Sequence, residues 1–98
     1  MTIEKNISGG VINFALAGRL DTVTAPELES VLDDCIADAS DLVFDLKELE
    51  YISSAGLRII LKAQKAMNAK GTMKLKNVSD AIMEVFDITG FADILTIE

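Results

Sequence analysis

The sequence predicts an α/β domain: a mixed β-sheet with an N-terminal β-hairpin and α-helices packed against it, in the order β-β-α-β-α-β-α-β. Three observations carry that expectation. Two stretches that alternate apolar and polar residues flank Ser8-Gly9-Gly10, as in a hairpin. Two longer stretches repeat apolar residues at helical spacing, and each opens on hydroxyl residues able to cap it. Between these lies Leu42-Val43-Phe44-Asp45-Leu46, a short, almost unbroken apolar run that suits a central strand covered on both faces. Strand–helix–strand units in series impose right-handed crossovers and a parallel component in the sheet.

The first strand is expected over Thr2–Ile7, where Ile3, Lys5 and Ile7 alternate with Glu4 and Asn6. Val11–Ala17 is the second, with Ile12, Phe14 and Leu16 on one face, and Gly18-Arg19-Leu20-Asp21 leaves it. Thr24 and Glu27 form a T-x-x-E capping box with Pro26 in the first turn, so a helix follows. Leu28, Val31, Leu32, Cys35 and Ile36 give it one buried face, and Ala39-Ser40 ends it. Asp41–Leu46 is the third strand, followed by a short acidic loop, Lys47–Glu50. A second helix runs from about Ser54 to Ala69, with Leu57, Ile60, Leu61 and Met67 inward and Lys62, Lys65 and Lys70 outward. Gly71 is its expected C-terminal stop. Thr72–Lys76 alternates as a strand, Ser79 caps a third helix over Asp80–Asp87, and Gly90 ends that helix. Ile94–Ile97 is a last short strand or extended tail. No linker, repeat or low-complexity segment interrupts this order, so residues 1–98 form one domain with one core.

Composition removes most functions. The net charge is -7 and the isoelectric point about 4.4, which argues against nucleic acid and anionic membrane as partners. No apolar run reaches bilayer length, and Met1-Thr2-Ile3-Glu4-Lys5 lacks the order of a signal peptide, so a cytoplasmic setting is expected. There is no His, hence no Ser-His or Cys-His pair. One Cys without His leaves no zinc set of the usual kind, and no metal or cofactor is expected. Cys35 reads as a buried, inert thiol. Asp33-Asp34 are adjacent residues that do not share a helix face, so they read as solvated surface and not as an acid/base pair. No phosphate loop of the G-x-x-x-x-G-K-[ST] kind is present. The chain is therefore not expected to be an enzyme.

One feature remains that can carry chemistry. Tyr51-Ile52-Ser53-Ser54-Ala55-Gly56-Leu57 places two serines at a helix N-terminus, where unpaired N–H groups and the helix dipole favour negative charge. Every helix needs a cap, and serine is a preferred one. One serine is thus accounted for structurally, and the second is available. Gly56 lets the helix start approach the sheet closely. Asp21 can terminate the second strand and cap the turn that follows. Arg58 projects from the first turn of the helix.

The chain resembles a STAS domain of the anti-sigma factor antagonist type. The resemblance rests on Gly18-Arg19-Leu20-Asp21 followed by Ala25, on Leu42–Leu46, on Tyr51–Leu57 and on Phe86-Asp87-Ile88-Thr89-Gly90, in this order and spacing. It covers essentially the whole length. It implies that the unphosphorylated domain binds an anti-sigma factor that is also a serine kinase with a GHKL-type ATP fold, releasing the sigma factor. The kinase would phosphorylate the serine that opens the second helix, the pair would separate, and a serine phosphatase would reset the switch. Aligned through Gly56-Leu57, the acceptor is Ser54, with Ser53 as the alternative. Asp21, Thr22, Ser53, Ser54, Gly56 and Arg58 would form the partner-binding edge. The chain departs from the family at Ser53, where Asp is common, and at Ala55, where Ser or Thr is frequent. A monomer is the simplest state. The alternative within the same resemblance is a module of a stressosome-like assembly or of a membrane-transporter accessory complex.

Overall fold

A computed structural model describes all of residues 1–98. The elements are β1 (Thr2–Ser8), β2 (Val11–Leu20), α1 (Ala25–Cys35), a 3-10 turn (Ile36–Asp38), β3 (Asp41–Ile52), α2 (Ser54–Asn68), β4 (Thr72–Lys76), α3 (Asp80–Thr89) and a second 3-10 turn (Phe91–Asp93). The strands form one sheet in the order β1-β2-β3-β4. β1 runs antiparallel to β2, whereas β2, β3 and β4 are mutually parallel. The expected order of elements is present, with the final β element reduced to a single parallel bridge between Leu75 and Ile97. No helix is long and apolar enough to cross a membrane.

Local chemistry explains the hairpin. Ser8 pairs with Val11, leaving Gly9-Gly10 as a two-residue loop with φ of +56° and +86°. Positive φ at both positions is what a turn matching the strand twist requires, and glycine adopts it without steric cost.

The core lies on one face of the sheet. Ile12, Phe14, Leu16 and Leu20 of β2 alternate inward beside Leu42, Phe44 and Leu46 of β3, and the helices bury Leu28, Leu32, Ile60, Met67, Ile82 and Phe86 against them. Phe14 and Phe44 are register partners and stack with centroids 5.5 Å apart. The opposite face carries Asn13, Ala15, Val43 and Asp45, all half-buried. The expectation that β3 is covered on both faces is thus corrected: its apolar run reads as continuous only because Val43 sits on the open side. Cys35 is buried, its thiol donates to the Val31 carbonyl at 3.2 Å, and burial raises its pKa.

Two further expectations change. Lys47–Glu50 is strand, not loop, and β2 continues through Gly18 to Leu20. The reason is a pair of register shifts in the β2–β3 ladder, between Ala15 and Ala17 and between Gly18 and Arg19. Each inserts one extra residue into β3, so its inward residues past Leu46 come at intervals of three: Leu46, Leu49, Ile52. The alternation that identifies a strand is broken there although the ladder is not. The Asp45 carboxylate pins the start of this irregular stretch, accepting from the Lys47 amide at 3.1 Å and from Asn77 Nδ2 at 3.0 Å. The T-x-x-E capping box is likewise absent. Thr24 has helical backbone angles, and its hydroxyl makes no capping bond to α1.

Gly71 follows α2 without positive φ, so its role differs from that of a left-handed helix stop. The Thr72 amide donates to the Ser40 carbonyl at 3.2 Å as β4 enters beside β3, and a Cβ on Gly71 would collide with that same carbonyl oxygen. A backbone carbonyl held in this way cannot move aside cheaply. Gly71→Ala should therefore cost about 1–3 kcal/mol, the range for overpacking a filled site. Urea denaturation should show a lowered midpoint with an unchanged slope.

Candidate functional site at the carboxyl edge of β2 and β3

The parallel pairing of β2 with β3 ends with Leu20 opposite Ile52. The next residue of each strand starts a different structure. After Leu20 comes the turn Asp21–Thr24 leading into α1, and after Ile52 come Ser53 and α2. The Ser53 amide donates to the Leu20 carbonyl at 2.9 Å, which fixes the two exits side by side. Open parallel sheets place their binding sites at such carboxyl ends.

The turn is organised by Asp21. Its Oδ1 accepts from the amides of Val23 at 3.0 Å and Thr24 at 3.1 Å. The Thr24 hydroxyl accepts from the Asp21 amide at 2.9 Å and donates to the Arg19 carbonyl at 2.8 Å. The Ala25 amide, at the first turn of α1, donates to the Asp21 carbonyl at 2.8 Å. Asp21 thus takes the Thr24 amide that the capping box would assign to Glu27, and the Glu27 amide donates to the Thr24 carbonyl at 3.0 Å. The Thr24 N–H holds its carboxyl below the ordinary range, with partial desolvation opposing and the Val23 N–H, the Thr24 hydroxyl and the Arg19 charge adding to it. Arg19 Nε lies 3.7 Å from Asp21 Oδ2, and its guanidinium sits 4.2 Å from the centroid of the Tyr51 ring. Register pairs Arg19 with Tyr51, so the stack spans the two strands just before the site.

The two serines have separate roles. Ser53 is the cap of α2: its backbone is extended and its Oγ accepts from the Gly56 amide at 3.3 Å. Ser54 is the first residue of the helix, exposed, and its hydroxyl has no partner within the chain. Gly56 is buried. A Cβ there would lie 2.7 Å from Leu20 Cγ and 3.0 Å from the Leu20 carbonyl oxygen, so glycine is what lets α2 begin against the end of β2. Its contribution to the site is this close approach and not a surface for a partner.

Asp21, Thr22, Ser53, Ser54 and Gly56 are therefore gathered at one edge, and Arg58 stands exposed one helical turn beyond Ser54. Three residues at this edge were not singled out from the sequence. Val23 is 85% exposed, an apolar side chain presented at the tip of the Asp21 turn. Arg19 and Tyr51 are joined only by the β2–β3 register, which the broken alternation of β3 conceals. No group of His, Cys, Asp or Glu side chains gathers in a way that could hold a metal ion.

Comparison with known proteins identifies the family and the fold. The sequence model described as STAS domain matches residues 2–98. An anti-sigma-B factor antagonist of Bacillus subtilis is 34% identical over 87 residues, covering 88% of this chain and 80% of that protein. The crystal structure of an anti-sigma factor antagonist from Mycobacterium paratuberculosis superposes with a TM-score of 0.88 at 26% identity, over 98% of this chain and 83% of that one. The Bacillus cell fate determinant SpoIIAA, solved in its phosphorylated form, has the same fold, with a TM-score of 0.79 at 17% identity over 99% of this chain and 91% of that one.

The Asp21 carboxyl yields a test of the turn. Its folded pKa lies below its unfolded value, so the folded chain binds fewer protons here. The stability it contributes is complete above the unfolded value near 3.9 and is lost as pH falls through the folded value. Urea unfolding of wild type and Asp21→Asn at a series of pH values should show a constant advantage for wild type from neutrality to about pH 5, shrinking below about pH 4.

Proposed function

We propose that this chain, which belongs to the STAS domain family, works as an anti-sigma factor antagonist switched by phosphorylation of Ser54. Unphosphorylated, the stretch 1–98 acts as one binding module in the cytoplasm. It docks the Asp21–Thr24 turn and the start of α2 on an anti-sigma factor that is also a serine kinase of GHKL type, and the sigma factor is released. Docking delivers Ser54 to the kinase. The Ser54 oxygen attacks the γ-phosphorus of ATP, the bond to the ADP oxygen breaks, and the hydroxyl proton passes to a base of the kinase. The modified edge no longer fits, the complex separates, and a serine phosphatase restores the hydroxyl. The chain itself catalyses nothing in this cycle.

The observation that carries this reading is the division of labour between the serines. Ser53 Oγ is engaged with the Gly56 amide, whereas Ser54 Oγ is exposed and unengaged beside the Asp21 turn. A hydroxyl already holding a helix cap leaves its site only by unmaking that cap. The free one reacts without disturbing the fold. The added phosphate brings about -1.5 to -2 charges to a helix N-terminus, which tolerates them. At the interface the same charge meets a partner fitted to a neutral hydroxyl. Each 1.4 kcal/mol of resulting repulsion and desolvation weakens binding about tenfold. The sequence similarity to a named anti-sigma-B factor antagonist supports the partner class.

The test is mass spectrometry of the protein incubated with ATP and the GHKL-type kinases of its own genome. Wild type should gain one phosphate and Ser54→Ala none. Ser53→Ala should still be phosphorylated at residue 54, with stability lowered by about 0.5–2 kcal/mol for the lost cap. Phosphate that disappears only in Ser53→Ala would move the acceptor, and no phosphate with any kinase would overturn the switch.

A further inference from the structure

Charge is unevenly distributed around α2. The helix contains Arg58, Lys62 and Lys65 and no acidic residue, in a chain whose net charge is -7. Lys62 is already committed. Its ammonium donates to Glu29 Oε2 at 3.0 Å and to Asp33 Oδ1 at 3.4 Å, clamping α2 to α1, and Glu29 is the main cause of its raised pKa. Lys65 lies three turns from Ser54. Arg58 is exposed and has no ion-pair partner.

Arg58 follows Ser54 by four residues in the same helix. Residues at that spacing share a face, with Cβ atoms about 5–6 Å apart. Helical side chains lean toward the N-terminus, so the Arg58 stem extends back over the turn that holds Ser54. An anion placed ahead of a cation at this spacing is the favourable orientation, and an anion at the first helical position also agrees with the helix dipole. The guanidinium is planar, always charged, and matches a phosphate with paired N–H donors.

We propose that Arg58 is the internal counter-ion of a phosphate on Ser54 and so a positioning residue of the switch. The proposal rests on Ser54 as the acceptor. Before modification, Arg58 stands free at the docking edge and offers a cation to the partner. After modification it closes onto the phosphate oxygens of its own helix. The partner then meets an anion where it met a hydroxyl and loses the cation it met one turn away. One phosphate thereby changes two contacts, while the core beneath Gly56 stays as it was. Asp21 is not paired with Arg58: its Oδ1 accepts from the Val23 and Thr24 amides and its Oδ2 lies 3.7 Å from Arg19 Nε.

The experiment installs phosphoserine at position 54 during translation, in wild-type, Arg58→Gln and Arg58→Lys backgrounds. No kinase takes part, so failure of the kinase reading and failure of this one are separate results. The readout is a phosphorus NMR titration of the second phosphate ionisation. Circular dichroism and urea midpoints of the unphosphorylated variants check that the helix is intact, and these should match because Arg58 is exposed. The proton dissociation constant of the phosphate should be about twofold larger with Arg58 than with Gln, and Lys should restore part of the difference. Identical titrations in wild type and Arg58→Gln would assign the phosphate to the helix N-terminus alone and overturn the proposal.

Discussion

The Ser53 amide donates to the Leu20 carbonyl at 2.9 Å, and the whole candidate edge is arranged around that bond. It is the last rung of the β2–β3 ladder and also the first fixed point of α2. It forms only because β3 has been lengthened. Two extra residues within β3 let Leu46, Leu49 and Ile52 all face the core while β2 covers the same distance with fewer residues. A uniform ladder would bring Glu50 opposite Leu20 and turn Leu49 away from the core. The bulges thus set which residue caps α2, and the cap sets which serine is left free. Gly56 completes the constraint, since any side chain there would push the helix start away from Leu20.

The two strand exits also define a division between rigid and reactive parts. On the Asp21 side, the groups that shape the turn are engaged: the Asp21 carboxylate with amides, the Thr24 hydroxyl with a carbonyl, and the backbone with α1. Such a turn holds its shape and presents Val23 outward without a partner inside the chain. On the Ser54 side the hydroxyl and the neighbouring Arg58 are uncommitted. An edge built from one engaged element and one free element can keep its geometry while its chemistry changes, as the proposed switch requires.

Much of this was legible in the sequence, and the misses have physical causes. The hairpin, the helices and the inward residues of β2 follow from period and turn chemistry, because Gly9-Gly10 and the alternation of Ile12, Phe14 and Leu16 each admit few readings. The Ser53–Ser54 pair could be placed at a helix start, and the capping preference itself says that one serine is structural. The failures concentrate on β3 and on the start of α1. Bulges destroy period two, so Lys47–Glu50 reads as a loop while remaining hydrogen-bonded strand. Thr24 and Glu27 have the spacing of a capping box, but the Asp21 carboxylate takes the Thr24 amide and the Thr24 hydroxyl is turned to the Arg19 carbonyl. The competition between two local caps is decided by the path of the chain leaving β2, which no spacing rule encodes. Arg19 and Tyr51 are joined by that same register and are invisible without it.

The distribution of charge explains why a small modification at this edge can be decisive. From Asn77 to Glu98 the chain carries acidic residues and no basic ones, whereas α2 carries basic residues and no acidic ones. If the chain docks as proposed, by its one basic helix, it presents a partner with a local field opposite in sign to its global one. Screening confines such fields to about 8–10 Å at physiological salt, so the partner responds to the helix and not to the net charge. A phosphate at the first residue of that helix reverses the sign where the field is felt. The rest of the surface, already negative, then adds to the repulsion instead of opposing it. The acidic composition is thereby the background against which one added phosphate on the proposed acceptor would be read.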